Sequence, residues 1–141
     1  MLKISAPGQL KPLIYECSKI LSLTVNIRED NRLDKSTLTI GGPKSFLSNH
    51  YISSHIKSHG LTILLVDEIK GYRGYANFTK RLCVVDKGAE ARTLAHEIAH
   101  LLGLPHSNSK DNLMYSGGNG TSLDWWQKAI LKIVEKVSYG I

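Results

Sequence analysis

Long apolar runs are missing from this chain, and none approaches the roughly 20 residues that a bilayer-spanning helix needs, so no membrane span is expected. The start, Met1-Leu2-Lys3-Ile4-Ser5-Ala6-Pro7, lacks the apolar centre of a secretory signal. Cysteine is scarce, with only Cys17 and Cys83 present, both in apolar surroundings. Two core thiols are the simpler expectation because free cysteine packs as a small hydrophobe; a disulfide between them is the alternative. Acidic residues number 12 against 18 lysines and arginines, a net charge of +6. That balance favours acidic partners or anionic surfaces, but the basic residues are scattered and no nucleic-acid motif accompanies them, so no nucleic-acid partner is expected. With 141 residues, 42% of them hydrophobic and 21% charged, one globular domain over 1–141 is expected, large enough to bury a core without covalent staples. Such a domain uses almost every residue, so no inhibitory pro-segment is expected.

Hydrophobic periodicity sets out the elements. Leu2 to Ser5 reads as a first strand, and Gln9 to Leu21 has helical spacing with Pro12 near its first turn. Leu23 to Arg28 alternates as a half-buried strand, Glu29 to Lys35 is a polar loop, and Leu38 to Ile40 is a short strand. After Gly41-Gly42-Pro43, Phe46, Ile52 and Ile56 support a helix ending at Gly60. Leu61 to Val66 is a buried strand, Gly71 to Phe78 is rich in glycine and tyrosine, and Arg81 to Asp86 is another strand. A helix over about Ala89 to Leu102 follows, and an amphipathic helix from Leu123 to Val137 closes the chain, with Thr121 or Ser122 near its cap. The order predicts an α+β fold, a twisted mixed sheet packed on helices.

The chemistry lies in residues 96 to 106, His-Glu-Ile-Ala-His-Leu-Leu-Gly-Leu-Pro-His. On a helix, residues four apart share a face, which aims His96 and His100 at one point. Two imidazoles so placed can bind zinc. Glu97 is rotated by roughly 100° from His96, beside the metal rather than on it, where a general base for a zinc-activated water should stand. Gly103 most cheaply takes the left-handed conformation that ends a helix, and Pro105 stops the helix resuming. The short segment between them can swing His106 back to the same point. Three protein ligands leave a fourth position open, the arrangement of a catalytic rather than a structural zinc.

With Met114 eight residues beyond His106, the segment resembles the active site of the metzincin zinc endopeptidases, HExxHxxGxxH followed by a Met-turn, and within them most closely the matrixins. The resemblance implies a metzincin-like zincin fold, one catalytic Zn2+ on His96, His100 and His106, a catalytic Glu97, and Gly103 at the turn. It also implies Met114 as a hydrophobic base under the histidines, Tyr115 lining the specificity pocket, and Tyr72 to Phe78 as the upper rim of a peptide cleft. The substrate would be a peptide or protein bound by strand addition, and the chain a monomer. Two features depart from the matrixin pattern. Upstream there is no histidine and aspartate cluster like the matrixins' structural zinc and calcium sites, and Ser116 stands where they usually have proline. Tyr115 also adjoins the methionine, which speaks against a tyrosine zinc ligand of the astacin kind.

Three other groups read as structural. His55 and His59, with His50 nearby, lack a companion acid and a turn-delivered third ligand. Trp125 and Trp126 are adjacent, so one should pack inward and the other face outward. Glu135 could serve as the third ligand of a gluzincin-like site, but His106 makes that unnecessary. Three rivals to a general endopeptidase stand beside it: a narrow aminopeptidase or self-processing peptidase, an effector that cleaves one protein, and a zinc-containing binding module without turnover.

Overall fold

The computed structural model describes residues 1–41, 60–78 and 80–136. The helix expected around Phe46, Ile52 and Ile56, together with His50, His55 and His59, lies outside these residues. A six-stranded mixed sheet carries the molecule. Strand β1 (Leu2–Ala6) buries Leu2, Ile4 and Ala6 by simple alternation and pairs in parallel with β2 (Val25–Glu29). The long β4 (Leu61–Ile69) is parallel to β1 at Ile4↔Leu61 and Ser5↔Thr62, and further along the same edge to β3 (Asp34–Ile40). On its other edge β4 pairs in parallel with β6 (Leu82–Asp86), and β5 (Gly74–Asn77) runs antiparallel to β6 at the edge of the sheet. Most of β4 is buried because Ile63 and Leu65 pack on one face while Leu64 and Val66 pack on the other.

Helices α1 (Lys11–Leu21) and α2 (Ala91–Leu101) contribute Ile14, Cys17, Leu21, Leu94, Ile98 and Leu101 to the larger core. The smaller one gathers Leu33, Ile40, Ile69, Tyr75 and Leu82 with Leu64, Val66 and Val84. Pro12 stands in the first turn of α1, where no intrahelical donor is lost. Cys17 and Cys83 are both buried free thiols, and Cys17 Sγ donates to the Ala91 carbonyl at 3.2 Å. Burial, with Glu16 adding to it, pushes Cys17 up to about 12.

Several expectations needed adjustment. The polar loop from 29 to 35 contains a 3-10 turn at Asn31–Leu33, capped by the Asp30 carboxylate, and the strand after it begins at Asp34 rather than Leu38. Pairing with β4 extends it through residues whose own pattern is polar. Helix α3 (Trp125–Val134) is capped by Asp124, not by Thr121 or Ser122, because Gln127 closes a reciprocal capping box. Ser122 instead pairs its backbone with Leu113 and Asp111. Neither tryptophan is in the core: Trp125 is 82% exposed and Trp126 40%, while Gln127 and Leu131 occupy the inward face. Glu135 is buried in an ion pair with the Met1 amino group and stands outside the histidine cluster.

Candidate metal centre and active site

Helix α2 delivers the first two histidines. Its inward stripe of Leu94, Ala95, Ile98 and Ala99 anchors it to the core, so the next face over, with His96 and His100, faces the cleft that β5 lines. The helix stops in a Schellman arrangement: Gly103 N–H donates to the His100 carbonyl and Leu104 N–H to the Ala99 carbonyl, both at 3.0 Å, with Gly103 at φ +102°. Leu104 is buried as the apolar plug of that motif. The chain then reverses and returns His106 to the pair. The three ring centroids lie 4.6, 4.7 and 5.4 Å apart, and one ligand nitrogen from each ring falls within 4.8 Å of the others.

The hydrogen bonds of the rings bear on whether a cation fits. His96 Nδ1 donates to the Leu113 carbonyl and His100 Nδ1 to the Leu104 carbonyl, each at 2.8 Å. Carbonyls accept only, so both rings carry their proton on Nδ1 and turn an unprotonated Nε2 inward. Those two Nε2 atoms stand 3.0 Å apart. Facing lone pairs at that distance repel unless a cation lies between them, and two nitrogens at ~2.0–2.1 Å from one tetrahedral zinc stand about 3.3 Å apart. The donor set therefore fits zinc. Burial pushes His96 down to about 4 and lowers His100, which keeps both imidazoles neutral, the form a metal requires.

Glu97 lines the same cleft, and its burial raises the carboxyl to about 7 against the opposing pull of the Arg92 cation. The cleft has a volume of about 760 Å³. One side is the chain from Gly71 to Ala76 with Phe78, as expected of the rim, and the other is Ser116, Gly117 and Gly118. Tyr115 is half-buried behind that wall with its ring against Gly118, and is not among the lining residues. Met114 is fully buried, and its amide and carbonyl bond Asn112 Oδ1 and Ser107 N.

Three residues hold this loop that periodicity did not single out. Asn112 and Gln127, both buried, exchange two side-chain amide bonds of 2.8 and 3.1 Å and so tie the Met114 turn to α3. Arg92, one turn before His96, donates to the carbonyls of Leu113, Tyr115 and Gly120. The run Gly117-Gly118-Asn119-Gly120 is bonded at Gly118, whose N–H donates to the Tyr115 carbonyl, and at Gly120, whose carbonyl accepts from Arg92 Nε. One signal was available: Arg92 is a cation four residues from a motif histidine, on the same face.

Comparison with known proteins agrees with this geometry. The chain is similar to three solved structures: a zinc-dependent peptidase from Methanocorpusculum labreanum (15% identity, TM-score 0.64, covering 93% of this chain and 100% of that one); archaemetzincin from Methanopyrus kandleri (13%, 0.62, 96% and 96%); and metalloproteinase-II from Bacteroides fragilis (17%, 0.58, 94% and 52%). These likenesses establish the metzincin-type fold. No curated protein matches the sequence significantly. The family model described as Matrixin matches residues 25–122, more than half of the chain, including all three histidines and Met114. Its cofactor is accordingly zinc. The chain belongs to the matrixin family of zinc metallopeptidases.

Proposed function

We propose that His96, His100 and His106 hold the catalytic zinc and that the protein is an endopeptidase with Glu97 as its general base. The observation that carries this reading is the inward convergence of unprotonated imidazole nitrogens beside a buried carboxyl in an open cleft. Bound there, zinc supplies Lewis acidity to the scissile carbonyl and acidifies water. Glu97 takes the proton of the attacking water and passes it to the leaving amine. Burial raises its carboxyl and so makes it a stronger base than an exposed glutamate. The Leu113 and Leu104 carbonyls fix the two rings so that neither Nε2 has to be reoriented.

Strand β5 is the terminal strand of the sheet path and lines the rim of the cleft, where an extended peptide adds as a further strand. A pure binding module would have no use for Glu97. A panel of peptides with blocked or free termini tests the reading: blocked peptides are cut at interior bonds, whereas cutting confined to free amino ends would replace it with an aminopeptidase.

A further inference from the structure

We infer that Arg92 is a positioning residue that clamps the Met114 loop onto the metal-binding helix and thereby orients His96. This deepens the proposed function, resting on the same zinc site, and assigns a role to a side chain outside the histidine motif.

The argument begins with where Arg92 stands. It is four residues before His96 on α2, on the same face and one turn closer to the helix start. Its guanidinium crosses to the loop and donates from Nη2 to the Leu113 and Tyr115 carbonyls, both at 2.8 Å, and from Nε to the Gly120 carbonyl at 3.0 Å. These acceptors flank the cleft wall formed by Ser116, Gly117 and Gly118. One planar cation thus closes a loop whose ends it holds at once, using the fixed fork of donors that only arginine has. The Leu113 carbonyl has a second donor, His96 Nδ1, at 2.8 Å. Arg92 and His96 share that oxygen, so its position, and with it the direction of His96 Nε2, depends on the clamp.

Removing the guanidinium takes one donor from each of three carbonyls, of which Leu113 keeps His96 Nδ1 and Tyr115 keeps the Gly118 N–H, and a shift of the loop towards water would replace what is lost. The wall would loosen, and His96 would lose the fixed acceptor that sets its tautomer. Lysine would not replace arginine fully, because one ammonium is a point donor and these three oxygens are reached from two different nitrogens.

The test compares Arg92→Ala and Arg92→Lys with wild type, and with Arg32→Ala as a control because, among the described residues, the exposed Arg32 pairs with Asp30, outside the histidine cluster. Zinc affinity is measured with a competing chelator, and backbone hydrogen exchange is followed in the metal-free proteins. Arg92→Ala is expected to bind zinc roughly 10- to 100-fold more weakly. Exchange should quicken over Leu113 to Ser122 but remain unchanged in β4 and β6, and added guanidinium ion should restore both properties in part. Arg92→Lys is expected to fall between, and it carries the test if the alanine variant does not fold. Zinc affinity and loop exchange equal to wild type in a folded variant would overturn the clamp, as would exchange quickened equally throughout the sheet. A wild type that binds no zinc would overturn the proposed function instead, and the loop exchange of the metal-free proteins would still decide on Arg92.

Discussion

The chemistry at the residue scale rests on opposite effects of burial on neighbouring groups. Desolvation drives His96 down and Glu97 up, so a neutral imidazole and a more basic carboxyl stand side by side, as the proposed site requires. Replacing His96 or His106 with alanine should abolish stoichiometric zinc and remove the rise in melting temperature that zinc gives the wild type, since binding free energy adds to folding free energy. Calorimetry with and without a chelator checks this; a variant still stabilised by zinc would place the metal elsewhere. The cysteines make a separate prediction. Burial raises the folded Cys17 thiol from 9.0 to about 12, so between those values the unfolded chain releases a proton that the folded one keeps. Stability is therefore fully present below pH 9 and falls as pH rises through that window. Urea titrations from pH 9 to 12 should show that decline, and it should be shallower in Cys17→Ala; equal slopes would refute it.

Among the elements, the tie between the Met114 turn and α3 stands out. Each of the two amides in the Asn112 and Gln127 pair also accepts a backbone N–H, from Met114 and from Asp124 respectively. Gln127→Ala should leave Asn112 buried with unmet bonds and cost about 1–3 kcal/mol, measured as a shift of the urea midpoint; a change within error would mean that water replaces the amide. This junction also marks where the sequence stops being readable. The strands with apolar alternation and α2, whose stripe and Gly103 stop are local signals, were legible apart from one to three residues at their ends. So was the histidine set, because helical spacing and one left-handed turn suffice to converge it. The extent of β3 was not, since its polar residues are held by pairing with β4 rather than by their own pattern. Nor were the clamp at Arg92 and the amide pair at Asn112, whose partners lie 15 or more residues away and follow no period. The cap at Asp124 was missed although Gln127 stood three residues on, the spacing of a capping box.

For the molecule as a whole, the histidine cluster lies beside the β5 end of the sheet. Strands β4 and β6 are buried in the interior, α2 packs against α1, β5 and β6, and the antiparallel β5 lines the cleft beside the histidines. Among the described residues no helix is long and apolar enough to cross a membrane. The central claim joins one metal site to one base, and the two separate experimentally. The most direct test is zinc content by elemental analysis alongside cleavage of an unstructured protein, for wild type and Glu97→Ala in parallel. The account predicts one zinc per chain in both, with cleavage in wild type and a loss of about 10²- to 10⁴-fold in the variant. Full activity in Glu97→Ala, or cleavage by a wild type that carries no zinc, would contradict it.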